Sequence, residues 1–245
     1  KMKLDKNNIA IKNKTTKYIN NIIDDVEAPY IYRNKKYNSY PFLTIKKSTN
    51  KKLGKKVLKG LKKDYPIYTL TLIERATCSD ECEHWETCYG NNMMYGIRFN
   101  PYNKNFLTRL ESDIKTIANE SNNKKGFLLR LHVLGDFYSV DYVLFWKRML
   151  KLYPNLNIYG YTRNHNDSKY LDKRNIANEI IKLNTLFSTR FYIRFSNKLD
   201  IDTSANSIDL GKKGITCLAQ IDENKTCATC TLCWSSKKPI NFITH

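Results

Sequence analysis

The sequence lacks long hydrophobic runs, and this excludes one large class of proteins. No stretch of roughly 18 apolar residues occurs in the 245-residue chain, so we expect no transmembrane helix. Residues 1–8 also lack the apolar core of a signal peptide. These absences predict a cytoplasmic protein without a membrane partner, in which a disulfide framework is not expected.

Internal repeats and low-complexity linkers are also absent. Hydrophobic residues make up 41% of the chain, enough to bury one good core. We therefore predict one main domain with appendages. The expected parts are a basic N-terminal extension over residues 1–65, a core over residues 66–200, and a cysteine-rich segment over residues 201–245 that packs on the core.

Acidic residues are scarce relative to basic ones. The chain has 23 Asp and Glu against 42 Lys and Arg, a formal net charge of +19. The excess is greatest in residues 1–65, which hold 18 Lys or Arg and 5 Asp or Glu. Such a field favours a polyanionic partner, DNA or RNA. The alternative is compositional drift, because the chain is rich in Lys, Asn, Ile and Tyr, as AT-rich genes tend to encode.

The end of this basic region, residues 51–63, has the pattern of an amphipathic helix. Apolar residues fall on one side with lysines around them, although two glycines are unfavourable in a helix. Such a helix can lie on nucleic acid or on a membrane surface, or can be an ordinary solvated helix with its apolar side on the core. The candidate nucleic-acid contacts are Lys51, Lys52, Lys55, Lys56, Lys59, Lys62 and Lys63.

From residue 66 onward, strand and helix patterns alternate. The predicted strands are 67–73, 127–134, 157–162 and 190–196. The predicted helices are 15–27, 101–121, 168–184, and one that follows an N-cap at Ser139 and stops near Pro154. Strands alternating with helices form a parallel sheet with right-handed crossovers. The number of units is too low for a complete eight-unit barrel, so we predict an α/β fold with a partial, open β/α barrel.

The seven cysteines fall into two tight sets. The first set is Cys78, Cys82 and Cys88, and the second is Cys217, Cys227, Cys230 and Cys233. Close cysteine spacing in a chain that is not secreted indicates metal binding or redox chemistry. Three thiolates leave one corner of a four-coordinate site open, which suggests chemistry. Four close it, which suggests structure or electron storage.

The spacing leaves the identity of each metal group open. The first set suits a 4Fe–4S cluster with one open iron, or zinc if His84 supplies a fourth ligand. The second set suits a closed 4Fe–4S cluster or zinc. The position of the first set after a predicted strand favours one or two clusters as the expected cofactors, with zinc as the alternative at the second set.

Polar residues follow each predicted core strand. Three such pairs are Gly135–Asp136, Thr162–Arg163 and Ser196–Asn197. Ligands of α/β sheets bind at the carboxyl ends of the strands, so these residues are candidate cofactor contacts. An arginine at a strand end is well placed to bind a phosphate or carboxylate. Turns and caps also attract these residue types, but that does not explain three cysteines on one of the loops.

Two further positions are ambiguous. His132 lies in the middle of a predicted strand and could touch a substrate or be a hydrogen-bonded core residue. Glu74 and Arg75 directly precede the first cysteine loop and could pair with each other or with a substrate.

Several stretches resemble a phage and prophage family known as gene product eighty-eight. The stretches are Glu74–Met94, Arg130–Trp146, Tyr159–Asn164, Ile193–Asn197 and Cys227–His245, and the likeness covers about residues 65–245. That family is in turn distantly similar to the radical S-adenosylmethionine superfamily. The resemblance implies a 4Fe–4S cluster on the first cysteine set and S-adenosylmethionine on its open iron. It also implies that Gly135 and Asp136 contact the methionine amine, that the second set holds an auxiliary cluster, and that the protein works in the host cytoplasm.

Three functions follow as hypotheses. The first is a radical-forming enzyme that cleaves S-adenosylmethionine to act on a nucleotide or nucleic acid. The second is a non-catalytic nucleic-acid-binding protein whose iron–sulfur or zinc sites are structural. The third is a redox-responsive interaction protein in a phage assembly.

Overall fold

Apolar strands form an eight-stranded sheet, and amphipathic helices pack on it. The structure is a computed structural model that describes residues 30–31, 35–36, 45–74, 76–85, 88, 90, 98–198, 204–207 and 214–243. The helix predicted over residues 15–27 lies outside this part of the chain. Within it, the four predicted core strands and the three helices between them are found, with shifted ends.

Two short strands, β1 (Tyr30–Ile31) and β2 (Lys35–Lys36), pair with each other in an antiparallel ribbon. The strands of the large sheet are β3 (Lys46–Lys47), β4 (Ile67–Thr69), β5 (Phe127–Leu131), β6 (Leu156–Thr162), β7 (Phe191–Ser196), β8 (Ser204–Ser207), β9 (Ile215–Thr216) and β10 (Ile240–Phe242). Their order is β3-β4-β5-β6-β7-β8-β10-β9. Only the β3–β4 pair is antiparallel among these described strands. The predicted α/β class is confirmed, and the sheet is open.

Three helices connect the central strands. They are α1 (Phe106–Asn119), α2 (Val140–Leu152) and α3 (Leu171–Leu186). The predicted N-cap is confirmed, because the Ser139 hydroxyl accepts a hydrogen bond from the Tyr142 backbone N–H at 3.1 Å. A 3₁₀ turn at Ser121–Asn123 and three single-turn helices complete the described elements: α4 (Leu218–Ile221), α5 (Cys227–Cys230) and α6 (Leu232–Ser235).

Alternate residues of each strand face opposite sides of the sheet, and each side has its own core. Leu129 and Ile158 face the three long helices, where they join the larger cluster with Trp146. Leu128 and Tyr159 face the other side and pack with Trp234 from the C-terminal segment. The cysteine-rich tail therefore covers the side of the sheet that the long helices leave open.

The prediction of a helix over residues 51–63 is wrong. The segment forms turns and pairs with the start of β4 through a Lys56–Pro66 bridge. Gly54 and Gly60 have φ values of +83° and +75°, which a right-handed helix does not allow. The predicted apolar side is consequently split: some of its residues are buried, whereas Leu61 is fully exposed.

No helix in the described residues is long and apolar enough to span a membrane. None of the seven cysteines forms a disulfide.

Candidate functional site

The first cysteine loop leaves the carboxyl end of β4 and is fastened to the end of β5. The Thr77 hydroxyl donates to the Ile73 carbonyl at 2.8 Å and accepts from the Asp136 backbone N–H at 3.1 Å. Gly135 makes this contact possible: its φ is +87°, and a Cβ there would lie 2.7 Å from the Thr77 hydroxyl. Gly135 thus allows the loop after β4 to approach the end of β5 closely.

The side chain of Asp136 is buried between the ends of β5 and β6. Its Oδ1 accepts from the Phe137 backbone N–H at 2.6 Å, and its Oδ2 accepts from the Arg163 backbone N–H at 2.7 Å. Burial raises the pKa of Asp136 to about 6, although these hydrogen bonds and one from Thr162 oppose the rise. Asp136 and Arg163, both predicted cofactor contacts, are therefore joined by a hydrogen bond from the Arg163 backbone to the Asp136 carboxylate.

Thr162 is buried and also has a structural role. Its hydroxyl accepts from the backbone N–H of Asn164 at 3.1 Å and from its side-chain Nδ2 at 3.0 Å. The same amide donates to the Phe137 carbonyl at 3.0 Å. These bonds fix the turn that presents the side chain of Arg163.

Glu83, on the first cysteine loop, joins two of the predicted site residues. Its Oε1 accepts from Arg163 Nη2 at 2.8 Å, and its Oε2 accepts from Asn197 Nδ2 at 2.6 Å. Arg163 Nη1 also lies 2.9 Å from His165 Nδ1, and His165 Nε2 lies 2.8 Å from the carbonyl of Ser196. The ends of β6 and β7 are thus tied to the cysteine loop.

The thiols of the first set lie in the same region. Burial raises the pKa of Cys82, and the nearby Asp136 and Cys88 raise it further, whereas a hydrogen bond from the His84 backbone opposes the rise. Burial raises the pKa of Tyr102 to about 12, and the nearby Cys78 adds to the rise. Among the residues that the structure describes, no three Cys, His, Asp or Glu side chains are arranged to hold a single metal ion.

The four cysteines of the second set converge beneath the sheet. Burial raises the pKa of Cys227 to about 12, and the neighbouring thiols of Cys233, Cys217 and Cys230 add to the rise. Cys217 also interacts with Cys233 and Cys230, and Cys233 interacts with Cys230. The thiols of the second set are therefore close enough to interact electrostatically, although no three of these four described cysteines are arranged to hold a single metal ion.

Side chains from three strands surround this cluster. The Tyr161 hydroxyl donates to the Cys233 sulfur at 2.9 Å, and the Arg130 guanidinium lies 4.2 Å from the centre of the Tyr161 ring. Arg194 is 2% exposed and donates to five backbone carbonyls. Those carbonyls belong to Ser204, Leu232, Cys233, Ser236 and Lys238. The guanidinium of Arg194 thus holds the turn that carries the last cysteine.

The candidate nucleic-acid lysines lie at the opposite end of the strands from the first cysteine loop. Lys62 donates to Asn157 Oδ1, near the start of β6, and to the Thr189 carbonyl before β7, both at 2.7 Å. Lys56 pairs with Asp64 at 2.8 Å. The other five lysines are exposed: Lys51, Lys52, Lys55, Lys59 and Lys63.

The structure gives contacts for His132 and Glu74, whereas Arg75 lies outside the described residues. His132 is a core residue, with its Nε2 2.9 Å from the Tyr142 hydroxyl. Glu74 forms a buried ion pair with Arg98, at 2.6 Å and 2.9 Å. Arg98 also donates to the Gly90 carbonyl at 2.9 Å, so the pair braces the chain just after Cys88.

Sequence analysis missed the acidic residues of the cysteine loop. Glu83 contacts Arg163 and Asn197, which lie 80 and 114 positions away along the chain. Glu81 accepts from the Ser168 hydroxyl at 2.6 Å. In the sequence, Glu81 and Glu83 are two of several charged residues on this loop. Their position beside three thiols was the only signal available.

Comparisons with known proteins place the chain in a family. A model of the family described as Gene product 88 matches residues 43–236, a range that contains both cysteine sets. Curated proteins and solved structures gave no match. Because the matched range is well over half of the sequence, the chain belongs to the Gene product 88 family.

Proposed function

We propose that this protein is an iron–sulfur protein whose open sheet is a partial β/α barrel of radical S-adenosylmethionine type. One observation carries the proposal: the loop with three thiols follows β4, and residues at the ends of β5, β6 and β7 all bond to that loop. Ligands of parallel α/β sheets bind at this edge.

The donor sets fit the proposed cofactors. Cys78, Cys82 and Cys88 would hold a 4Fe–4S cluster and leave one iron for a further ligand. The thiolates of such a cluster bind separate irons and so stand farther apart than the donors of one ion. Three thiols on the loop after β4 favour the cluster, whereas a zinc ion would need a fourth ligand from His84. The second set would hold another cluster, with zinc as the alternative.

The strand ends would hold S-adenosylmethionine. The bound cluster would supply the electron that cleaves this cofactor, and the protein would position it. The Asp136 carboxylate, which already accepts from two backbone N–H groups, would also accept from the methionine amine. Arg163 and Asn197 present donors suited to a carboxylate or a ribose. Gly135, Thr162 and Ser196 shape the turns that bring these groups together.

Metal analysis and product detection test the proposal. Protein purified without oxygen should contain about eight irons and eight sulfides per chain. Incubation with dithionite and S-adenosylmethionine should release 5′-deoxyadenosine, and Asp136→Asn should reduce the yield, whereas Asp141→Asn, a change in the first turn of α2, should not. Absence of product from fully loaded protein would refute the enzymatic function, and zinc in place of iron would refute the cluster.

A second candidate function is nucleic-acid binding with structural metal sites. The exposed lysines of residues 51–63 and the net charge of +19 favour it. Binding to DNA or RNA should weaken steeply with salt and should persist in Cys82→Ser. The double variant Lys59→Gln and Lys63→Gln should bind more weakly, whereas Lys147→Gln and Lys151→Gln on α2 should not. Lack of binding at low salt would exclude this function.

A further inference from the structure

Glu83 lies where an anionic ligand would be expected. Its two carboxylate oxygens accept hydrogen bonds from Arg163 at 2.8 Å and from Asn197 at 2.6 Å. Both donors stand at the ends of neighbouring parallel strands, which is the edge where α/β sheets bind ligands. The carboxylate itself comes from a loop, and its side chain is 49% exposed.

The two donors are held in place without help from Glu83. The backbone N–H of Arg163 bonds to Asp136, and its Nη1 contacts His165. The backbone N–H of Asn197 donates to the Ala205 carbonyl at 3.0 Å, in a left-handed conformation with φ of +54°. Arg163 Nε is buried and has no hydrogen-bond partner among the described residues. The Arg163 guanidinium and the backbone of Asn197 are therefore held independently of Glu83, and Arg163 Nε has capacity for another acceptor.

We propose that Arg163 and Asn197 form an anion-binding subsite, that Glu83 fills it when no ligand is present, and that the carboxylate or phosphate group of a small-molecule ligand displaces Glu83. The inference rests on the proposed ligand-binding role of these two residues and adds an internal competitor to it. A half-exposed ion pair is weak, so its displacement costs little. The contrast is Glu74 and Arg98, whose side chains are only 1% and 3% exposed and which cannot part without leaving a buried charge.

Displacement would also free Glu83 from the ends of β6 and β7, while Thr77 and Glu81 keep their own contacts. Glu83 is the next residue after Cys82, and its contacts bind this part of the loop to the ends of β6 and β7. A ligand that takes over Arg163 and Asn197 would break both contacts at once. The subsite would thereby connect ligand binding to the freedom of Cys82.

Titration with inorganic phosphate and with acetate tests the subsite and distinguishes the two anion classes. Binding is followed by NMR at the side-chain N–H groups of arginine and asparagine, on protein of verified metal content. Glu83→Gln should bind one or both anions about three- to fivefold more tightly than the unmodified protein, the gain expected when a half-exposed ion pair no longer competes. Glu81→Gln, a matched change on the same loop, should leave the affinity unaltered.

Two variants keep the test independent of the loop's folding. Arg163→Met should abolish anion binding, and Asn197→Asp should weaken it by charge repulsion while Glu83 remains. Equal affinity in Glu83→Gln and the unmodified protein would overturn the competitor role, and binding that survives Arg163→Met would overturn the subsite. Neither readout uses S-adenosylmethionine, so a failure to form 5′-deoxyadenosine would leave the subsite standing and would refute only the enzymatic proposal.

Discussion

Tyr161 donates a hydrogen bond to the sulfur of Cys233 across 2.9 Å. The tyrosine belongs to β6 and the cysteine to α6, so this bond links the sheet directly to the second set of thiols. Hydrogen bonds to ligating sulfurs orient them and tune the bound metal group. Metal retention by the second set should therefore depend on this hydrogen bond from the sheet.

Tyr161→Phe should weaken the retention of the metal group proposed for the second set by roughly tenfold or more, because the sulfur loses its donor while the ring keeps its packing. Release to a chelator, followed by absorbance, measures this. Tyr192→Phe, on the same side of the sheet, should release the metal at the unmodified rate. Equal rates in all three proteins would show that the bond does not matter for retention.

Arg194→Met should destabilise the protein by about 2–4 kcal/mol, because several backbone carbonyls lose a charged donor in a buried site. Urea unfolding measures the loss. Arg190→Met is the matched control, since Arg190 also donates to backbone carbonyls, but near the start of β6. Only the Arg194 variant should lose metal from the second set; equal metal loss in both variants would contradict the assignment.

Removal of the metal group from the second set should loosen residues 52–58. The Cys227 backbone N–H donates to the Lys52 carbonyl at 2.8 Å, and the Leu58 N–H donates to the Ala228 carbonyl at 3.0 Å. Metal sites of this kind stabilise the segments that carry them. Hydrogen exchange at Leu58 should accelerate after chelation, whereas exchange in α2 should not. Unchanged protection at Leu58 would show that the thiols hold this segment without metal.

Glu74→Gln should cost about 3–5 kcal/mol of stability, because it leaves the buried charge of Arg98 without its counter-charge. Glu111→Gln breaks an exposed pair with Arg148 and should cost no more than about 1 kcal/mol. Chemical denaturation compares the two. A similar small loss in both variants would mean that water reaches Arg98 and replaces the carboxylate.

Acid should destabilise the folded state through His132. Burial lowers the pKa of His132 to about 3, whereas an unfolded histidine titrates near 6.5. The folded state therefore binds fewer protons, so this contribution is complete above about pH 6.5 and is lost as the pH falls toward 3. Asp136, with its pKa raised to about 6, acts in the opposite sense between pH 6 and 4.

The comparison of His132→Gln with the unmodified protein isolates the histidine. The free energy of unfolding of the variant should fall less between pH 6.5 and 4, as followed by urea titration at each pH. Parallel pH profiles for the two proteins would contradict the assignment.

Local patterns predicted the centre of the fold well. The strands and helices between residues 127 and 196 follow apolar spacing that a few neighbouring residues determine, and Ser139 supplied a clear helix start. The same reasoning failed at residues 51–63, where Gly54 and Gly60 adopt positive φ. The two glycines break the helix, so the apolar residues do not share one face. Val57 packs on the C-terminal segment, whereas Leu61 faces solvent.

The candidate site was predictable in outline only. Parallel strands place their carboxyl ends at one edge, so the approach of Asp136 to Arg163 followed from the topology. The contacts of Glu83 and Arg98 did not follow from it, because each joins segments whose meeting depends on loop conformation. Proximity of three thiols of the second set was predictable, since these three cysteines lie within residues 227–233.

The exposed lysines and the first cysteine loop stand at opposite ends of the same strands. A nucleic acid bound to the lysines would leave the first cysteine loop accessible to a small molecule. The two candidate functions would thus use opposite ends of the strands and would not exclude each other.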